Sequence, residues 1–83
     1  MARLLFFGKL GELAGGRERE MPLPVGVNTL SDLIKAIEQD DPVLGNAISE
    51  ISVRYVVNEN ITDRFVSISE RDEIGFLPPV SGG

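Results

Sequence analysis

Thr29-Leu30-Ser31-Asp32-Leu33-Ile34-Lys35-Ala36-Ile37 carries the strongest periodic signal in the chain. Leu30, Leu33, Ile34 and Ile37 fall at i, i+3, i+4 and i+7, a single apolar stripe along a helix. Thr29 is placed to cap that helix, and Asp32, three residues on, supplies a capping-box partner and a favourable negative charge in the first turn. Asp40-Asp41-Pro42 ends it, because a residue before proline avoids the αR region. Asp41 then caps a second, short helix with Pro42 at its first position. An isolated helix of this length is marginal in water, so its stripe is expected to pack on a sheet of the same domain.

Strand-like segments lie on both sides of it. Upstream, Arg3–Gly8 (RLLFFG) is a compact apolar run whose length suits a strand buried on both faces. Gly8, Gly11, Gly15 and Gly16 punctuate a turn region, and neither GxGxxG nor GxxxxGK[ST] is present to make it a phosphate cradle. Arg17–Glu20 and Met21-Pro22-Leu23-Pro24 fit an edge strand and its exit, pairing with the first as a hairpin. Downstream, Ser52–Val57 is rich in β-formers, and Asn58-Glu59-Asn60 turns into a short strand around Ile61. Phe65, Val66 and Ile68 form a further apolar patch before a polar turn at Ser69–Asp72. Glu73–Leu77 (EIGFL) is the last strand, stopped by Pro78-Pro79, which cannot extend a ladder. Strand, strand, helix and two or three further strands make an α+β domain: a mixed sheet of four or five strands, one main helix across it and a short second helix. The domain is expected over residues 1–77, with 78–83 as an extended tail.

Composition narrows the chemistry. Eighty-three residues allow one small domain. The absence of cysteine and histidine removes disulfides, thiolate zinc sites, cysteine nucleophiles and imidazole acid–base catalysis. Adjacent Asp40 and Asp41 match no calcium loop, so no metal is expected. A net charge of -5 with only two lysines, Lys9 and Lys35, argues against nucleic acid and anionic membrane surfaces as partners. Leu4–Phe7 is too short for a signal-peptide core or a membrane span, so a soluble cytoplasmic protein is expected.

The tail is the unusual segment. Pro78-Pro79 is stiff and extended, and Val80-Ser81 leads to Gly82-Gly83 with no Cβ near the last carboxylate. At ordinary glycine usage a terminal Gly-Gly arises by chance in about one chain in 200. A slim backbone of this kind can thread into another protein's active site and present a carboxylate there.

With these segments in view, the chain resembles the molybdopterin synthase small-subunit (MoaD) branch of the ubiquitin-like β-grasp sulfur carriers, over essentially its whole length. The matching segments are LLFFG at Leu4–Gly8, GELAG at Gly11–Gly15, VNE at Val57–Glu59 and, most specifically, DEIGFLPPVSGG at Asp72–Gly83. It departs at Gly11, where the family often has Arg, and at Arg71, where it often has Gly. The resemblance implies a ubiquitin-like β-grasp fold and a chain that is not itself an enzyme. An E1-like (MoeB-like) enzyme would spend ATP to adenylate the Gly83 carboxylate, and a sulfur donor would convert the adenylate to a thiocarboxylate. A large subunit (MoaE-like) would accept the tail and pass the sulfur to a pyranopterin precursor, in a heterotetramer of two small and two large subunits. No cofactor is bound by the small subunit itself. Gly82 would give clearance, Pro78, Pro79, Val80 and Ser81 would set the tail's direction and reach, and Phe7, Ile61 and Leu77 match positions that contact the large subunit. Those three are equally readable as core residues. Other acceptors share the same tail chemistry: a thiamine, tRNA-thiolation or cysteine-pathway carrier, or a ubiquitin-like modifier joined to lysines. A plain interaction domain with an incidental tail is the remaining option.

Overall fold

The computed structural model describes residues 1–79. Its elements in order are β1 (Ala2–Phe6), α1 (Lys9–Ala14), β2 (Glu18–Met21), α2 (Leu30–Asp40), α3 (Pro42–Ile48), β3 (Arg54–Val57), β4 (Asn60–Thr62) and β5 (Glu73–Leu77). The strands form one mixed sheet in the order β2-β1-β5-β3-β4. β1 and β5 run parallel, and the other neighbours are antiparallel. This is the β-grasp arrangement, with five strands where four or five were expected.

The helix read from its stripe forms as α2, and its four stripe residues are buried. The Thr29 hydroxyl accepts from the Asp32 backbone N–H at 3.2 Å, and the Asp32 carboxylate accepts from the Asn28 and Thr29 N–H groups, each at 3.1 Å. Those bonds to the ionised form hold the Asp32 carboxyl below its usual pKa. The Asp41 side chain caps α3 through the Leu44 N–H at 3.1 Å, with Pro42 opening that helix.

α2, α3 and α1 cover one face of the sheet. There the helical Leu30, Leu33, Ile34, Leu44 and Leu10 meet Leu4, Phe6, Ile74, Phe76, Tyr55 and Val57 from the strands in a single cluster. Phe6 and Phe76 stack across the parallel pair with ring centroids 5.3 Å apart, and Tyr55 meets Phe76 edge-on at 5.9 Å. The Tyr55 hydroxyl donates to the Ile48 carbonyl at 2.7 Å, tying β3 to the end of α3. Burial raises its pKa above the ordinary tyrosine value, so it remains a donor.

Two expectations are corrected. The glycine-punctuated segment is not a plain turn, because Lys9–Ala14 is helical. Leu10, Leu13 and Ala14 sit at i, i+3 and i+4, and Leu10 is 2% exposed. Gly8 and Gly15 bracket the helix rather than interrupt it: Gly15 is its left-handed C-cap at φ 81. Arg19, on the inward side of β2, donates to the Ala14 carbonyl at 2.9 Å and lays its guanidinium over the Phe6 ring at 5.4 Å. The second correction is that β1 is covered on one face only. Ala2, Leu4 and Phe6 are buried, whereas Arg3 is exposed and Leu5 and Phe7 are half-exposed. A continuous apolar run specifies two apolar faces, but not whether the second layer comes from the same chain.

Candidate docking face and the root of the tail

The face of the sheet opposite the helices is open, and strand register defines what stands on it. Directly paired residues share a face, which gives transverse rows. One row runs Glu18, Leu5, Gly75, Val56, Ile61 across all five strands. The row before it contains Glu20, Arg3 and Glu73. The row after it pairs Leu77 with Arg54, and Phe7 joins it because its N–H donates to the Phe76 carbonyl at 3.1 Å, continuing the ladder beyond β1.

Phe7, Ile61 and Leu77 therefore share the open face and are not core residues. Phe7 and Leu77 are half-exposed and Ile61 is 77% exposed. Three further residues that the sequence reading did not single out join them: Leu5, Val56 and Gly75. Leu5, Phe7, Val56, Leu77 and Gly75 surround a hollow of about 340 Å³. A Cβ at Gly75 would meet the Phe7 ring at 3.2 Å and the Val56 side chain at 3.7 Å. The available signal was the doubled apolar residues in Leu4-Leu5-Phe6-Phe7 and Tyr55-Val56-Val57, longer than a one-faced strand requires.

The charged end of the face is tied together. Arg3 bonds Glu18 at 2.8 Å and lies 3.2 Å from Glu73. The two carboxylates raise the guanidinium pKa further, the hydrogen bond to Glu18 contributing most.

The tail leaves from β5, the middle strand, between β1 and β3. Pro78 is half-buried and Pro79 exposed. Pro78 packs on Gly8, whose backbone at φ 55, ψ -137 is closed to residues with a Cβ and whose own Cβ would lie 3.1 Å from the proline ring. On the helical side, Pro78 and Pro79 wall a second hollow with Leu10, Leu13 and Val53. The remaining predicted tail residues, Val80, Ser81, Gly82 and Gly83, lie outside the described residues. Among the described residues no group of three or more His, Cys, Asp or Glu side chains is placed to hold a metal, and no helix is long and apolar enough to cross a membrane.

Residues 4–83 match the ThiS family. The chain belongs to that family. It is 33% identical over 82 residues to the molybdopterin synthase sulfur carrier subunit of Dictyostelium discoideum, covering 98% of this chain and 94% of that one. Among solved structures it is similar to the small archaeal modifier protein 1 of Methanosarcina acetivorans, with TM-score 0.76, 30% identity, and 99% and 95% of the two chains covered. It also shares its fold with a chain in the complex of subunits 1 and 2 of the molybdopterin-converting factor from Helicobacter pylori, with TM-score 0.67, 24% identity and coverage of 99% and 97%. These likenesses cover nearly the whole chain, and the ubiquitin-like β-grasp fold is common to them.

Proposed function

We propose that this chain is the sulfur-carrier small subunit of a molybdopterin synthase, with the Gly83 carboxyl as its reactive group. The observation that carries the reading is the open apolar face on β1, β5 and β3, beside the strand from which the Gly-Gly tail departs. Exposing a contiguous apolar surface of this kind is disfavoured unless a partner covers it. The naming of relatives such as the Dictyostelium protein supports the choice of pathway.

In this reading the folded domain is a handle. An E1-like enzyme brings the Gly83 carboxylate to the α-phosphorus of ATP; a C–O–P anhydride forms and pyrophosphate leaves. Hydrosulfide from a sulfur donor attacks the acyl carbon, AMP departs with the anhydride oxygen, and the carboxyl becomes a thiocarboxylate. The large subunit then seats the open face and accepts the tail; the thiocarboxylate sulfur bonds to a pyranopterin precursor as an oxygen substituent leaves, and water cleaves the acyl–sulfur bond to return the Gly83 carboxylate. The groups that run that last step belong to the large subunit, since this chain has neither cysteine nor histidine. Pro78, held against Gly8, fixes the point at which the chain leaves β5; Gly82 leaves room at the reacting carbonyl.

Incubation with the activating enzyme, ATP and a sulfur source is expected to raise the mass of the C-terminal peptide by the exchange of one oxygen for sulfur. The thiocarboxylated protein, mixed with the large subunit and precursor, should yield dithiolene product. Absence of the mass increment, or sulfur transfer undiminished by removal of Gly83, overturns the proposal. The 30% identity to a small archaeal modifier protein supports a second reading, in which the activated carboxyl is passed to protein lysines. Isopeptide-linked adducts of Gly83 in cells that lack dithiolene formation by this chain would favour it.

A further inference from the structure

The hollow on the open face is not uniformly apolar. Its walls are Leu5, Val56, Phe7 and Leu77, packed around Gly75, but two carboxylates, Glu59 and Glu73, close the end away from the tail. Asn58, next to Glu59 in the chain, holds the backbone of Glu73. Its side chain accepts from the Glu73 N–H at 3.0 Å and donates to Asp72 at 2.8 Å, while its N–H donates to the Glu73 carbonyl at 2.8 Å. The β3–β4 turn is thereby locked to the start of β5.

Glu59 occupies a place where its residue type is unfavourable. Asn58 and Glu59 are the two central residues of the turn, at φ 50 and φ 70. Such a turn ordinarily takes Asn-Gly, because the second position is left-handed. A carboxylate kept on a backbone that disfavours it is a mark of use rather than of stability. The surrounding field points the same way. The open face carries Glu18, Glu20, Glu59 and Glu73 against Arg3 and Arg54, and Arg3 is already engaged with Glu18 and Glu73. Glu59 has no ion pair among the described residues.

We infer that this hollow receives one long cationic side chain, an arginine or lysine, from the protein that docks on the open face. Its methylene stem lies along the Leu5, Phe7 and Val56 side chains, and its charged head reaches Glu59 and the free side of Glu73. Long basic side chains suit such a place because the stem is apolar and the head is not. The missing Cβ at Gly75 lets the Phe7 ring lie flat there as part of the wall, and the carboxylates fix the direction in which the stem enters. The consequence is orientation: apolar contact at Phe7, Leu77 and Ile61 holds the partner, and the cation sets its rotation over the sheet. This inference rests on the docking reading above.

The test is titration calorimetry of the large subunit with the natural chain and with Glu59→Gln, Glu73→Gln, the double variant, Glu59→Gly and, separately, Phe7→Ala and Leu77→Ala. Each glutamine substitution is expected to weaken binding about three- to tenfold at low ionic strength, with the loss shrinking as salt screens the pair. Glu59→Gly should weaken binding as much as Glu59→Gln while unfolding at no lower temperature, since glycine suits the left-handed position. That split separates a contact role from a structural one. If Phe7→Ala and Leu77→Ala weaken binding but the double glutamine variant keeps full affinity and salt dependence, the docking face stands, its occupant is apolar, and this inference fails. If Phe7→Ala and Leu77→Ala also leave affinity unchanged in folded protein, the docking reading itself fails.

Discussion

Gly45 lies where α3 packs on α2, and a Cβ there would overlap the Glu38 Cα and Cβ and reach its Cγ at 3.0 Å. The obstacle is backbone, which cannot swing aside as a side chain tip does. Gly45→Ala is therefore expected to destabilise the domain by about 2–3 kcal/mol despite alanine's better helix propensity, read by urea unfolding. An unchanged midpoint would mean that the two helices separate freely. Gly8 poses a different constraint, since its φ of 55 with ψ of -137 excludes a Cβ even before the Pro78 ring is considered. Gly8→Ala is expected to cost about 1–3 kcal/mol. It should also shift amide resonances at Leu77 and beyond, because the proline must move. A loss of stability with no change at the root of the tail would separate the two effects of this glycine.

Among the elements, α2 was the most legible because a stripe, a cap and a terminating Asp-Pro all agree. The capping bonds make its N-terminus pH-dependent. The Asp32 carboxyl is depressed in the folded state, so its contribution is present above the unfolded carboxylate pKa and is lost as pH falls through the folded one. Asp32→Ala is expected to lower the melting temperature at neutral pH, and the gap from the natural chain should close under acid, below the ordinary carboxylate range. A gap that persists there would assign the effect to packing rather than to the ionised cap. Thr29→Ala should cost about 1 kcal/mol at neutral pH. By contrast, α1 escaped reading because six residues containing Gly11 between Gly8 and Gly15 look like turn chemistry, and the helix is held by tertiary contact at Leu10 and by Arg19 at its end. β5 was legible from its apolar run and the prolines after it. The site was half legible: resemblance pointed to Phe7, Ile61 and Leu77, but placing them with Leu5, Val56 and Gly75 requires cross-strand register, which no local pattern encodes.

At the scale of the molecule, one sheet has two apolar faces and helices enough for only one. The division runs through adjacent residues: Phe76 is 0% exposed beneath the helices, while Leu77, the next residue on β5, stands half-exposed on the other side. Substitution to alanine should expose the difference in opposite readouts. Phe76→Ala removes a ring stacked on Phe6 and edge-on to Tyr55, and is expected to cost about 3–5 kcal/mol. For a domain of this size that approaches the whole stability margin, so the unfolding transition should move to very low urea. Leu77→Ala removes contacts on a surface that is only partly shielded in the free chain, and should cost about 1 kcal/mol or less. Its larger effect is expected in the complex, as a loss of affinity for the large subunit with the far-ultraviolet circular dichroism unchanged. Comparable losses of stability at both positions would mean that the open face is already packed in the free protein, which would remove the physical reason for a partner to cover it.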